Sequence, residues 1–205
     1  MTLSPRQRLF VEIGRKEFVR NGYGSSSIRT IAQEAGVSLS ALYYHYKNKQ
    51  DLLFAILVDG VEIYDSLWER ALSAAGADPV DQLRAFVRAN VEFRTQYPEQ
   101  GRMIATEVRN LEPREAERYE ERRNVGRRRI RTIIDDGIAS GAFTTKYPDD
   151  CRKSILAMTA AIANWYDPNG PDTADEIGER YAEMALNLLC PGDIPGPTTI
   201  RGRGM

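Results

Sequence analysis

The 205 residues hold a single imidazole, His45, and two thiols, Cys151 and Cys190, none of them spaced as a pair of ligands. A zinc site takes about four nitrogen or sulfur ligands at short spacings, so metal chemistry has little to draw on. No GxSxG elbow, phosphate-binding GxxxxGK loop, GxGxxG turn or HExxH helix occurs. The acidic pairs Asp135-Asp136 and Asp149-Asp150 fall where helical patterns end or begin, which is capping chemistry first. The thiols stand in helical patterns, where lone cysteines act as small buried hydrophobes. No catalytic residue, metal ligand or cofactor is assigned, and the chain reads as a non-enzyme.

The chemistry that remains is non-covalent, and it concentrates in Ser26 to Lys49, SSIRTIAQEAGVSLSALYYHYKNK. Two short helical patterns flank Ala35-Gly36-Val37-Ser38. A tight interhelical turn needs positive φ, which Gly36 tolerates, and Ser38 can cap the second helix. Ile28, Ile31, Ala32, Val37 and Leu42 are spaced to bury one seam. That is a helix-turn-helix, whose second helix enters the major groove. Leu39, Ser40 and Ala41 are short enough to approach base edges. Tyr43, Tyr44 and His45 carry polar tips suited to phosphate oxygens, and Lys47 and Lys49 add charge at the start of the next helix. Arg29 is the long cation nearest the turn. Each also has a plainer use: Tyr43 and Tyr46 as core aromatics, with Tyr46 favoured for that role, and Arg29 as a solvated charge.

The elements that must position these residues are helical throughout. Helical periodicity runs over 4–21, ending at Asn21-Gly22, and over 28–34 and 38–46. A long helix follows over 49–74, and another from Pro79 to Tyr97-Pro98. Four more cover 99–110, 113–140, 149–166 and 174–189. The expected fold is all-α with about nine helices: a helix-turn-helix DNA-binding domain over 1–50, a ligand-binding and dimerisation domain over 51–190, and a flexible tail over 191–205. Apolar residues make up 42% and charged residues 28%, a soluble balance. The apolar run from Leu52 to Val58 stops at Asp59, far short of the roughly 20 residues a bilayer span needs. The start, MTLSPRQRLF, has no apolar signal core, so a cytoplasmic location and no membrane partner are expected. Residues 1–50 carry eight basic and three acidic groups, a net +5, and the remainder 20 basic and 26 acidic, a net -6. A basic end on an acidic body points to a polyanion partner for that end.

The complete string resembles the TetR family of bacterial repressors. It has the cap Ser27, Ile31-Ala32, Ala35-Gly36-Val37-Ser38, the cluster Leu42-Tyr43-Tyr44-His45-Tyr46, and Lys49 ahead of Leu52; the family usually has Phe where Tyr46 stands. The match covers about residues 8–56. The resemblance implies that Ser27, Arg29 and Ser38 lie at the DNA surface and that Leu39, Ser40 and Ala41 face bases. It further implies that Tyr43, Tyr44, His45 and Lys49 grip the backbone, and that a homodimer reads a partly palindromic operator as double-stranded DNA.

The same resemblance implies an effector pocket and a dimer interface in the remaining helices. Ile155, Met158, Thr159, Ile162 and Trp165 form one stripe, and Ile177, Tyr181, Met184, Leu188 and Leu189 another. Both suit core packing, and the family implies that these last two helices pair with their symmetry mates. Phe86, Phe93, Tyr97, Met103, Ile104 and Val108 lie on helices expected to surround the pocket. Ala163 to Gly170, ANWYDPNG, is similar to a segment of actinobacterial regulators of fatty-acid and steroid breakdown, several of which respond to acyl-CoA thioesters. The expected ligand residues are accordingly Phe93, Tyr97, Met103, Asn164 and Trp165, and the expected effector is a small hydrophobic molecule or an acyl-CoA. A drug-responsive repressor and an activator stand as alternatives. The Arg122–Arg131 run has two uses open to it: receiving CoA phosphates, or pairing with Glu115 to Glu121 on its own helix.

Overall fold

The computed structural model describes residues 3–190, so the expected tail, 191–205, lies outside the described residues. Among them are nine α-helices, one 3-10 turn and no strand. Six of the helices begin where a short polar side chain satisfies free N–H groups of the first turn, and α6, α7 and α8 begin at a proline without such a cap. Ser4 forms a capping box with Gln7 at the head of α1 (Pro5–Ser25). Ser27 caps α2 (Ile28–Glu34), Ser38 caps α3 (Leu39–His45) and Asn48 caps α4 (Lys49–Ala75). Asp78 caps α5 (Pro79–Gln96), where Pro79 occupies the first turn. Thr173 forms a second capping box, with Glu176, at α9 (Ala174–Leu189). The expected break at Asn21-Gly22 is present inside α1, where Gly22 has φ 74°.

One expected helix divides. Residues 99–110 form α6 (Pro98–Thr106) and a separate 3-10 turn over Val108–Asn110. Glu107, at the division, turns its carboxylate to the backbone N–H of Tyr23 at 3.3 Å and to Asn110 Nδ2 at 2.7 Å. The chain leaves the α-helix where it is tied to α1. The remaining helices, α7 (Pro113–Ala139) and α8 (Pro148–Trp165), run close to their expected bounds.

Two apolar clusters carry most of the packing. The first joins α1, α2 and α3 to the first half of α4 through Phe10, Phe18, Ile31, Leu42, Leu52 and Ile56, and it takes in Met103 of α6 and Tyr119 of α7. The head is thus not packed by itself: α4 serves it and the body alike. The second cluster is centred on α5, which packs against α4, α7, α8 and α9. Phe86 and Phe93 of α5 are fully buried, each worth roughly 1.5–3 kcal/mol in apolar area removed from water. Cys151 and Cys190 are both free thiols, and each donates to a backbone carbonyl, Leu188 at 3.1 Å and Ala142 at 3.0 Å.

The stripe expected on α9 splits. Ile177, Ala182, Ala185 and Leu189 face inward, whereas Met184 and Leu188 are exposed. On α8 the inward face is Cys151, Ile155, Thr159 and Ile162, and Trp165 is exposed. Trp165, Met184 and Leu188 thus leave apolar area on the outer sides of α8 and α9.

Candidate nucleic-acid face and interior chamber

The head is built as expected. Ile28, Ile31, Ala32 and Leu42 are buried, with Val37 packed against them. Gly36 sits at φ 66°, a backbone region open to glycine and costly for other residues. Ser38 Oγ accepts from the N–H of Ala41 at 3.2 Å, and Ser27 Oγ from that of Thr30 at 3.1 Å. Both serines are therefore caps that stand on the exposed surface. Arg29 and Ser40 are exposed, Tyr43 is 45% exposed and Tyr44 86%. Apart from a ring contact with His45, the Tyr44 phenol lies in solvent and is free to meet a partner.

Four expected residues have structural duties instead of, or besides, that surface. Leu39 and Ala41 are half-buried, and Leu39 packs against the head's core, so little of it is free to face a base. His45 is half-buried, its ring 5.6 Å from Phe10 and 5.2 Å from Tyr44. Lys49 departs furthest from expectation. Its ammonium donates to the Ser26 carbonyl at 2.7 Å and the Gly24 carbonyl at 3.4 Å, and lies 4.2 Å from the Tyr23 ring. Burial pushes its pKa down. Lys49 ties the α1–α2 connection to α4, and a phosphate would have to compete for it. Lys47, by contrast, is exposed. Tyr46 is the core aromatic: it is 5% exposed, burial pushes its phenol up to about 12, and its hydroxyl donates to the Gln7 carbonyl at 3.4 Å.

The head is wired to the body at α6 and the turn after it. Arg15 Nε donates to Glu99 at 3.1 Å, and Gln100 donates to Asp59 at 2.8 Å. Gln50 donates to the Tyr23 hydroxyl at 2.9 Å and the Asn110 carbonyl at 2.7 Å. Of these bonds Arg15–Glu99 joins α1 to α6 directly, Gln100–Asp59 joins α6 to α4, and Gln50 of α4 bridges Tyr23 and the turn after α6.

In the body, a cavity of about 130 Å³ lies between α4, α5, α6, α7 and α8. Its apolar wall comes from Val61, Ile104, Leu156 and Ala160, and its polar wall from Tyr64, Trp68, Asn90, Arg94 and Tyr119. Gly126 closes the α7 side, where a Cβ would overlap the Trp68 ring, so the indole reaches the cavity only because that position is glycine. The chamber shares Arg123, Arg127, Leu156 and Ala160 with a wider cleft of about 870 Å³ between α7 and α8. That cleft carries Arg123, Arg127, Arg128, Arg131, Arg152 and Lys153, and no carboxylate lines it. Glu120 pairs with Arg123 and Arg127 at 2.8 and 2.7 Å, and Asp149 with Arg131 and Arg152 at 3.4 and 3.3 Å. Lys153 pairs with Asp150 at 3.1 Å, so self-pairing is real. Three carboxylates against six cations still leave the cleft cationic, and Arg128 has no ion-pair partner among the described residues.

None of the five expected ligand residues lines this chamber. Phe93 is one layer behind, stacked on Tyr64 with centroids 3.6 Å apart, in a ladder with Tyr97 on one side and Tyr64 and Trp68 on the other. Tyr97 faces outward at 36% exposure. Met103 is buried in the head's cluster. Asn164 and Trp165 are exposed, with Trp165 6.3 Å from Tyr181 of α9. Which of several apolar helix faces encloses a void depends on crossing geometry, which periodicity does not encode. Ile104, and Arg123 and Arg127 of the Arg122–Arg131 run, are the chamber residues within reach of sequence reasoning. The other lining residues had one available signal: Arg94, with Asn90 one turn before it, breaks the apolar stripe of α5.

Among the described residues no group of three His, Cys, Asp or Glu is placed to hold a metal ion, and no helix is long and apolar enough to cross a membrane. Residues 11–56 match the family model of bacterial regulatory proteins, tetR family, and residues 76–189 that of the tetracyclin repressor-like C-terminal domain. A curated relative, the HTH-type transcriptional repressor KstR2 of Mycolicibacterium smegmatis, is 24% identical over 183 residues, covering 88% of this chain and 89% of its own. A solved tetR-family regulatory protein from Rhodococcus RHA1 superposes with a TM-score of 0.82 at 25% identity, covering 92% of this chain and 98% of that one. The structure of AibR in complex with isovaleryl coenzyme A and operator DNA gives a TM-score of 0.76 at 25% identity, over 91% and 98% of the two chains.

Proposed function

The chain belongs to the tetR family of bacterial regulatory proteins, which are transcription regulators and not enzymes, and from that premise we propose that it is a homodimeric repressor released from a palindromic operator by an acyl-CoA thioester. The observation that carries the ligand class is that the chamber and the cationic cleft adjoin, sharing Arg123, Arg127, Leu156 and Ala160 as lining. An acyl-CoA has an apolar end and several phosphate charges, and the two spaces divide along the same line. The chamber, about 130 Å³, is close in size to a cavity that accepts benzene, so it takes an acyl end of about six non-hydrogen atoms. AibR, similar to this chain, is named for its complex with isovaleryl coenzyme A. The KstR2 relatives are named as transcriptional repressors, and the solved KstR2 as a ketosteroid transcriptional regulator.

On the DNA side, Arg29, Ser40, Tyr43 and Tyr44 form the reading surface of each head, with Lys47 at its edge. Ser27 and Ser38 border it, and Leu39, Ala41 and His45 hold it in shape. The dimer closes through the outer faces of α8 and α9, where Trp165, Met184 and Leu188 are exposed. A two-fold axis there sets the separation of the two recognition helices. Ligand that binds one separation better than the other shifts the population, and the α6 bonds to Arg15, Asp59 and Tyr23 carry that shift to the heads.

The test is an anisotropy titration with a fluorescent duplex from the chain's own promoter region. Thioesters are expected to release it at micromolar concentration, while free CoA and the free acids do not. Release by dyes or drugs alone would move the chain to the multidrug-responsive class, and absence of preference for any promoter duplex would end the repressor reading.

A further inference from the structure

Arg94 is a buried cation with no counter-charge. Its guanidinium is on a residue 7% exposed, and among the described residues no carboxylate pairs with it. Nη1 donates to the Gly101 carbonyl at 3.3 Å, and the group lies 5.3 Å from the Tyr64 ring centroid and 5.4 Å from that of Phe93. Nε is buried without any partner. A guanidinium stays protonated at every working pH, so the charge cannot be shed. Leaving it unpaired in a low-dielectric interior is among the more costly arrangements a fold can hold.

The same cavity wall has two further orphans. Tyr119 OH and Trp68 Nε1 are buried and without hydrogen-bond partners. Burial pushes both the Tyr64 and Tyr119 phenols up to about 12, so neither supplies a resident anion and Tyr119 keeps its proton to donate. The wall therefore presents three unused donors, one of them charged, and no Asp or Glu lines the chamber. A hydrocarbon would satisfy none of them. A neutral carbonyl would accept hydrogen bonds and leave the charge uncompensated. A carboxylate does both, and its planar pair of oxygens matches the guanidinium fork.

We propose that Arg94 is a specificity-determining residue that binds a carboxylate on the buried end of the effector, with Tyr119 and Trp68 as supporting donors. The effector is then an acyl group bearing a terminal carboxylate, a thioester of a dicarboxylic acid under the reading above, on which this inference rests for the CoA portion only. A free dicarboxylic acid would satisfy the same chamber. Because Arg94 also holds Gly101 of α6, two residues from the Glu99 that pairs with Arg15, a bound carboxylate draws on the helix that touches the head.

The experiment is a calorimetric titration of the full chain with glutaryl-CoA, valeryl-CoA, glutarate and valerate. The two acyl groups have the same carbon count and differ in the terminal carboxylate. Glutaryl-CoA is expected to bind about tenfold tighter than valeryl-CoA, the scale of one charge-assisted hydrogen bond. Arg94→Gln should abolish that preference while leaving valeryl-CoA within about threefold of its wild-type affinity. Equal or tighter binding of valeryl-CoA by the wild-type protein overturns the proposal, and that comparison stands even if the variant folds poorly. If neither thioester binds and glutarate binds better than valerate, the thioester reading falls and the role of Arg94 holds. Binding by none of the four overturns both.

Discussion

Tyr44 and Lys49 lie close together in sequence and illustrate opposite fates for residues that look alike as DNA contacts. Tyr44 is 86% exposed and its side chain supports little of the head. Tyr44→Ala and Arg29→Ala should weaken operator binding while changing unfolding free energy by less than about 0.5 kcal/mol, as surface changes do. Equilibrium urea melts beside an anisotropy titration separate the two effects. If Arg29 meets a phosphate, its loss also lowers the slope of log affinity against log salt by about 1. Lys49 should behave in reverse. Removing its bonds to Ser26 and Gly24 and its contact with Tyr23 with Lys49→Met should cost about 1–2 kcal/mol of stability and leave the salt slope unchanged. A lowered slope with unaltered stability would return Lys49 to the phosphate contacts.

At the scale of elements, α4 and α7 approach closely because Gly126 accommodates the Trp68 ring. Gly126→Ala should force the indole from its stack on Phe86, destabilise by about 1–3 kcal/mol as overpacking does, and alter tryptophan emission. The junction of α1, α4 and α6 makes a pH prediction. Burial is the largest influence on Asp59 and raises its pKa against the pull of Arg15 and Arg8. Its ionised form is thus disfavoured in the fold. That penalty is absent below the ordinary aspartate range, grows as pH rises through it, and is complete above the raised folded value. Asp59→Asn, which keeps an oxygen for Gln100, should raise Tm at pH 7, and the gap to wild type should close as pH is lowered. A gap that widens toward acid would reverse the sign assigned here.

At the scale of the whole molecule, the dimer proposed above would cover the exposed Trp165, Met184 and Leu188 with a second copy of the chain. Leu188→Glu places a charge in that apolar face without touching the inward side of α9. Sedimentation should show a monomer with unchanged helical content, and operator affinity should fall by far more than a contact mutation would cause, because one head alone reads half a site. A variant that stays dimeric would place the two-fold axis elsewhere.

The helices of the described residues and the helix-turn-helix were legible in the chain because their signals are local: capping serines at 27 and 38, a glycine where φ must be positive, and apolar spacing along one face. So was the division of charge between head and body. The chamber was not, since the residues that line it come from five helices far apart in sequence, and most read locally as ordinary core or, for Arg123 and Arg127, as part of a self-paired charged face. Phe93 and Met103 show the limit: both are as apolar and as buried as expected, and both lie in a layer that faces another helix instead of the void. Periodicity says which side of a helix turns inward. Only the angles at which helices cross decide where two inward sides fail to meet, and there an arginine can be left buried with room for an anion beside it.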